Sequence, residues 1–349
     1  MEKNYNWGIV GTGLIAHEMG NVLKSGRKVY AVCHIKRDKA EAYGNEYQVG
    51  KVFYNIDEML KDEKLDIVYI AVPHNLHYEM IIKALKAGKH VLCEKVITVN
   101  NIQLDFLRKA LKNGKHVLCE KSITLNSEEL EEAVLLAEQE HVVLAEAMTI
   151  YHMPLFKEVK KRIDSGIIGR VKLVQVNFGS CKEYDVTNRF FAKELAGGAL
   201  LDIGVYAVSF ARYFLDGKPD NILTTAQYFE TGVDEESGII MQNEQGQMVV
   251  TALTMRAKQP KRGVVAGEKG YIEIDNYPRA DKAVITYTRD GSHEVISMGE
   301  TGNALLYEIE DMEKSIMCDK DNTYLNYSRD VTSLLTEIRQ QWGFQYPFE

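Results

Sequence analysis

A chain of 349 residues with 45 % hydrophobic and 26 % charged side chains can bury the core of one or two ordinary folded domains. Its formal net charge of −8 excludes a general polyanion binder, so no nucleic-acid partner is expected. No run approaches the roughly 18 consecutive apolar residues of a membrane helix, and the five cysteines (Cys33, Cys93, Cys119, Cys181, Cys318) are scattered without a CxxC spacing, which predicts a reduced, cytoplasmic protein without a membrane partner.

The first strand, WGIVG, begins at Trp7 and leaves too little room before it for a cleaved leader. It runs into Gly11-Thr12-Gly13-Leu14-Ile15-Ala16, which opens a helix over Leu14–Lys24. In such a loop the first glycine permits the turn, the second lets backbone approach a pyrophosphate, and the third position packs helix on strand. The helix N-terminus then offers free N–H groups and the positive end of its dipole. The second strand ends Cys33-His34-Ile35, and Lys36 and Arg37 follow; no carboxylate comes before Asp38. NAD sites place an acidic residue here for the ribose hydroxyls, whereas two cations suit a 2′-phosphate. NADP is therefore expected over NAD, with Lys36 and Arg37 as the start of a solvated helix being the plainer alternative.

The strand IVYIAV leads to Pro73-His74-Asn75-Leu76-His77 and a helix over His77–Lys86. His74 and His77 lack the Cys/Asp/Glu company of a zinc site, so no metal is expected. The chain then says the same thing twice. KALKAGKHVLCEKVITVN (83–100) returns as KALKNGKHVLCEKSITLN (109–126), 26 residues later and identical at 15 of 18 positions. Two copies do not make a solenoid; the pattern reads as one helix–strand unit duplicated inside a domain. Val142–Met148 supplies a last strand, which places a domain boundary near residue 150.

Beyond that boundary Arg170–Gly179 alternates as a strand and Gly197–Leu215 reads as one long apolar helix. From Leu223 to Ser297, strand-like runs are separated by the turn signals EESG, NEQGQ, GEKG and RDGS, which predicts an antiparallel sheet with meander connections. Helices over Leu305–Met317 and Val331–Gln341 end the chain. The expected architecture is α/β: a Rossmann parallel sheet over residues 1–150, then an α+β domain over 151–349 with a mainly antiparallel open sheet.

Taken together, GIVGTGLIA, AVPHNLHYEMIIKALKAGKHVLCEK, GGALLDIGVYAVSFARYFLDG, GEKGYIEI and IRQQWGFQYPFE resemble the glucose–fructose oxidoreductase and inositol dehydrogenase (Gfo/Idh/MocA) family, in its dihydrodiol dehydrogenase-like branch. The resemblance implies an NAD(P)-dependent oxidoreductase that moves a hydride between nicotinamide and a sugar, polyol or cyclic diol. It implies cofactor contacts from the glycine loop, His34, Pro73, Asn75, His77 and the glutamates Glu94 and Glu120. It also implies a catalytic lysine, Lys95 or Lys121, joined by Asp202 and Tyr206 of Asp202-Ile-Gly-Val-Tyr206. These last two are an i, i+4 pair on one helix face. A homodimer or homotetramer follows from the same likeness. The family's Glu-Lys is followed by proline; here Val96 and Ser122 stand there.

The chemistry holds on its own terms. A tyrosine beside an ammonium can move a hydroxyl proton, a lysine can stabilise alkoxide-like charge, and the cofactor carries the hydride. Two repeated strands, however, compete for one slot in the sheet. If Lys95 fills the site, residues 96–121 bulge at the cofactor edge. If Lys121 fills it, residues 88–113 bulge at the opposite edge, the arrangement expected here because it disturbs the site less. If both strands enter, the sheet widens and the downstream strand moves by about 4.8 Å, enough to harm catalysis. A dinucleotide-binding regulator or catalytically impaired paralogue is the alternative function.

Overall fold

The computed structural model describes residues 5–24, 27–72, 74–93, 101–318, 323–347 and 349. Pro73, Glu94 and Lys95 lie outside the described residues, as do the side chains of Asn75 and His77. The chain divides into two units: one takes in Met1–Thr124, Glu128–Ala147 and Ile309–Thr323, the other Leu125–Ser127, Met148–Glu308 and Tyr324–Glu349.

In the first unit, strands and helices alternate as β1 (Trp7–Val10), α1 (Leu14–Lys24), β2 (Val29–Cys33), α2 (Arg37–Tyr47), β3 (Lys51–Phe53), α3 (Ile56–Leu60), β4 (Ile67–Ile70), α4 (His74–Lys86), β5 (His90–Cys93), α5 (Asn101–Lys112), β6 (Val117–Glu120), α6 (Ser127–Gln139) and β7 (Leu144–Ala147). The seven strands form one sheet in the order β3-β2-β1-β4-β5-β6-β7, and every pairing is parallel. That is the doubly wound order 3-2-1-4-5-6 with one strand more. Short, continuous apolar strands are what a sheet covered on both faces demands; β1 and β4 are buried at every position.

The extra strand is the second copy of the repeat, so the expectation of a bulge is overturned: both copies enter the sheet. They lie side by side with Val91 opposite Val117, Leu92 opposite Leu118 and Cys93 opposite Cys119, so the sheet register equals the sequence offset. The helix ends are copied as well. Gly88 (φ +75°) and Gly114 (φ +64°) each sit left-handed after a helix. Their N–H groups donate to Leu85 and Leu111, and those of Lys89 and Lys115 to Ala84 and Ala110. The same Schellman closure is thus made twice. Only the neighbours differ. The Lys89 ammonium donates to the carbonyls of Asp62 and Leu65, on the way into β4, while Lys115 reaches the Gly88 carbonyl of the first copy.

A further strand needs a further helix to cover it, and α5 provides one. Leu104, Leu107 and Leu111 are buried on its inner face, α5 packs against α4, and Arg108 grips Glu132 of α6 with a two-pronged ion pair of 2.7 and 2.5 Å. Three buried leucines at roughly 1.5–3 kcal/mol each explain why the duplicated unit folds inward rather than looping out.

The second unit carries α7 (Thr149–His152), α8 (Pro154–Asp164), β8 (Val171–Gly179), α9 (Val205–Phe214), β9 (Asn221–Tyr228), β10 (Asp234–Gln242), β11 (Met248–Thr254), β12 (Gln259–Gly267), β13 (Gly270–Asp275), β14 (Lys282–Tyr287), β15 (His293–Ser297), α10 (Ala304–Cys318) and α11 (Leu325–Gln341). Helix α10 leads the chain back into the first unit from Ile309. The eight strands run β15-β14-β13-β12-β8-β11-β10-β9 and are antiparallel except where β11 joins β8. Because β8 is inserted between β11 and β12, the sheet is not a simple meander. The turn expected at EESG is instead the start of β10. Glu236 there pairs with both Gln227 and Thr254, and pairing on two sides overrides local turn preference.

The apolar helix expected over Gly197–Leu215 is present, but it carries a π-helical turn, Leu200–Gly204, that runs straight into α9. Lys193–Phe214 is long and apolar enough by composition to cross a membrane, but it is mostly buried within its unit; α9 packs on β8 and α11. We expect Leu107→Ala to cost about 2–5 kcal/mol in chemical denaturation. A cost below about 1 kcal/mol would mean that the second copy is not part of the core.

Candidate active site

Main-chain bonds stitch the loop after β1 to both neighbouring strands: Gly11 N–H donates to Cys33 and Ala71 N–H to Val10, at 2.9 and 2.8 Å. Gly11 takes φ +103°, and a Cβ there would lie 2.2 Å from the Ala71 carbonyl oxygen, so only glycine fits. Gly13 differs, since a Cβ on it would meet nothing within 4 Å. The room it leaves is therefore not needed for packing. The Thr12 hydroxyl beside it is buried and has no hydrogen-bond partner among the described residues, a state that buried polar atoms rarely keep. Helix α1 begins at Leu14, so its first N–H groups also lack intrahelical acceptors. Open space, an orphan hydroxyl and free amides together fit a dinucleotide phosphate.

At the end of β2, His34 turns its Nδ1 onto the Lys36 N–H at 2.9 Å, which fixes the chain where α2 begins. Lys36 and Arg37 are both exposed. The Arg37 guanidinium stacks over Tyr54 at 4.6 Å, and Tyr54 is held in turn by Glu41. Leu14 and Ile35 flank this region as two of the most exposed large apolar side chains, at 78 % and 82 %.

The carboxyl ends of β1, β4, β5, β6 and β7 line up, with Val10, Ile70, Cys93, Cys119 and Glu146 in one row across the sheet. Lys121 follows β6 and is only 9 % exposed, an unusual state for a lysine. Its N–H approaches the Glu120 carboxylate at 3.3 Å. Two residues on, Ile123 N–H donates to the buried Glu146 at 3.0 Å, tying the segment back to β7. The Lys121–Ser122 peptide is cis. Burial pushes the Cys33 thiol up to about 11 and raises that of the fully buried Cys119 well above the usual thiol range. Neither is a thiolate at neutral pH.

In the second unit, the π-helical turn carries Asp202 and the first turn of α9 carries Tyr206. Such wide turns recur at functional sites. Asp202 stands 3.6 Å from both Lys182 and Arg189. Tyr206 is half-buried against Phe178, with ring centres 6.2 Å apart. Tyr277 packs edge-on against Phe178, ring centres 6.0 Å apart; its buried hydroxyl has no hydrogen-bond partner among the described residues. Burial, then Tyr206, pushes that phenol far above the usual range.

The turn bearing Asp202 is anchored from below. Leu200 N–H donates to Asp234 at 2.6 Å, and Gly198 sits at φ +119° because a Cβ would fall 2.1 Å from that same carboxylate. Tyr346 donates to the Gly197 carbonyl at 2.7 Å. Burial raises Asp234 to about 6, against the pull of backbone N–H groups and Arg339. Arg339 spans the Leu125 carbonyl and Glu349. Burial opposes ionisation of Glu349, but Arg339 and the Tyr346 N–H outweigh it and hold its pKa below the usual range.

Residues 5–104 and 96–148 match the family described as "Oxidoreductase family, NAD-binding Rossmann fold" (Gfo/Idh/MocA), and residues 156–273 match the Gfo/Idh/MocA C-terminal domain. The chain belongs to the Gfo/Idh/MocA oxidoreductase family. It is 27 % identical over 354 residues to trans-1,2-dihydrobenzene-1,2-diol dehydrogenase of Xenopus laevis, covering 98 % of this chain and 99 % of that one. It is 29 % identical over 326 residues to scyllo-inositol 2-dehydrogenase (NADP(+)) IolU of Bacillus subtilis, covering 91 % and 90 %. KijD10, a 3-ketoreductase of Actinomadura kijaniata solved with NADP and TDP-benzene, shares the fold: TM-score 0.72, 20 % identity, 97 % and 98 % covered.

In this Gfo/Idh/MocA chain the sequence motifs did not announce Lys182, Arg189, Lys261 or Asp234. Lys182 and Arg189 come from the segment after β8, Lys261 from β12 and Asp234 from β10; only the folded sheet brings them near Asp202. The one sequence signal was the run of cations in KQPKR; CKEYDVTNRF carries as many acidic as basic residues and gave none.

Gly13→Ala is expected to leave the unfolding midpoint within about 1 °C of the parent while weakening dinucleotide binding at least about tenfold, because its space is open to ligand only. Gly11→Ala is expected to lower stability by about 1–3 kcal/mol as well. Between about pH 4 and 6 the folded chain keeps a proton on Asp234 that the unfolded chain has lost. This carboxyl's contribution to stability therefore falls as pH rises through that window and is flat above it. Urea titrations of Asp234→Asn and the parent across the window are expected to diverge by up to about 3 kcal/mol.

Proposed function

We propose that this NAD(P)-dependent oxidoreductase uses NADP and acts on a carbinol or carbonyl of a sugar, polyol or cyclic diol. The observation carrying the proposal is the half-buried Tyr206 next to the cation-flanked Asp202 on one helical turn, which supplies a proton-transfer phenol and a fixed charge. The named relatives that act on a diol and on inositol support the substrate class. For the cofactor, exposed Lys36 and stacked Arg37 at the end of β2, with no acidic residue before Asp38, favour a 2′-phosphate.

Bound nicotinamide supplies or accepts the hydride. In the oxidative direction Tyr206, entering as its phenolate, would take the carbinol O–H proton, and in the reductive direction the neutral phenol would return it to the oxygen, the hydride being exchanged with nicotinamide when that group is bound. Lys121 is proposed as the catalytic lysine of the first unit, and Asp202 in the second holds Lys182 and Arg189 in place. Pro73, Asn75, His77 and Glu120 are proposed to line the cofactor. A cytoplasmic homodimer or homotetramer agrees with the reduced cysteines, of which Cys33, Cys119 and Cys181 are free, and with Leu223 and Ile240 facing each other, both exposed, across β9 and β10.

Tyr206→Phe is expected to lower kcat by about 10²–10⁴ with NADPH affinity retained. Turnover of Lys121→Ala beside Lys95→Ala identifies the working lysine: loss in Lys121→Ala alone is the expected result. Lys36→Ala with Arg37→Ala is expected to weaken NADPH at least about tenfold and to spare NADH. A second reading, a catalytically impaired dinucleotide-binding protein, is favoured by one observation, the added strand that sets β7 one position farther from β4. NADPH binding without turnover of any polyol would select it.

A further inference from the structure

The second unit gathers more positive charge around Asp202 than that one carboxylate balances. Lys182 and Arg189 approach it at 3.6 Å, too far for a hydrogen bond, so their N–H donors remain available. Both cations lie on the face of Phe190, at 3.5 and 4.1 Å from its centre, which holds them in position without neutralising them. A third cation, Lys261, stands 4.8 Å over Phe178, the ring that packs on Tyr206.

Among the described residues no carboxylate lies within 4.0 Å of the Lys261 ammonium, although the side chain is half-buried. Burial first, then Lys258 and Lys182, holds its pKa below the usual lysine range, and only Asp202 opposes them. Cations crowded on aromatic faces around a half-buried phenol carry a desolvation and repulsion cost that an arriving anion would relieve. Lys182, Arg189 and Lys261 are all half-buried.

We propose that Lys182, Arg189 and Lys261 receive an anionic group of the substrate, a carboxylate or a phosphate ester, beside the carbinol that faces Tyr206. The inference rests on the dehydrogenase reading above and narrows its substrates to acidic sugars or polyol phosphates. Asp202 then acts as a positioning residue that keeps two of the cations apart and aimed.

The test is calorimetric titration of the full chain, with and without NADPH, using D-glucuronate, D-glucose 6-phosphate and neutral D-glucose as probes. At least tenfold tighter binding of one acidic probe over glucose is expected, and the probe that wins tells carboxylate from phosphate. Lys261→Gln and Arg189→Gln are each expected to cut that preference by about tenfold to a hundredfold. Lys261→Arg restores most of it, and Lys172→Gln, at an ion pair elsewhere on β8, changes nothing.

Equal affinity for acidic and neutral probes overturns the proposal. So does a Lys261→Gln variant whose NADPH affinity falls as far as its acid affinity, because the cations would then serve the cofactor. If the parent fails to bind NADPH, the dehydrogenase reading falls. The binding preference in the cofactor-free titration then still decides whether an anion site exists.

Discussion

The parallel main-chain ladder at the middle of the first sheet is the constraint on which the rest of that unit depends. Its strands are four or five residues long for the most part, so each holds its place through a few hydrogen bonds and the apolar faces packed over it. Such a sheet can admit another strand of matching apolar pattern if a helix comes with it to cover the new area. The repeat brings both, HVLCE for the ladder and Leu104, Leu107 and Leu111 for the cover. Burying that unit returns several kcal/mol, whereas extruding it would leave those leucines in water. The sheet widens for this reason.

Widening has a local chemical consequence. The copies carry identical residues, yet position gives them different tasks: Lys89 satisfies carbonyls at the entry to β4, while Lys115 satisfies the first copy itself. His90 and His116 likewise stack on each other as neighbours, 5.4 Å apart. At the other edge Lys121 is buried behind a segment pinned by Glu146. Identical sequence thus yields distinct electrostatic surroundings, because each strand end meets the groups of its neighbours.

The second unit solves a different problem, holding a short charged turn at fixed height above a sheet. It does so with a buried carboxylate beneath the turn, Asp234, and with Gly198, which lets the chain pass over it, while Gly197 fits against the carbonyls of Arg189, Phe190 and Ala192. An aspartate so deeply buried is costly; the backbone N–H groups it accepts keep that cost bounded and set the start of the helical turn. Asp202 and Tyr206 therefore sit on a turn pinned by a buried carboxylate, and Lys182 and Arg189, from the segment after β8, stand on the face of Phe190.

Much was legible beforehand. The glycine loop, the βαβ alternation and the cationic end of β2 each follow from local rules of turn geometry, apolar period and charge, and the folded chain carries them at Gly11, Gly13, Lys36 and Arg37. Local rules misjudged EESG, which two flanking strands pull into β10, and gave the helix before Phe214 without its π-helical turn at Leu200–Gly204.

The sequence by itself determined the family, the nucleotide-type first unit, and the presence of Lys121, Asp202 and Tyr206, because these are written in contiguous motifs whose chemistry is local. Only the tertiary structure decided that both copies of the repeat enter the sheet and that Lys182, Arg189 and Lys261 gather near Asp202 with Asp234 beneath it. Strand admission depends on the area buried against neighbours, and charge clustering depends on which distant strands become adjacent. Neither quantity exists until the chain has folded.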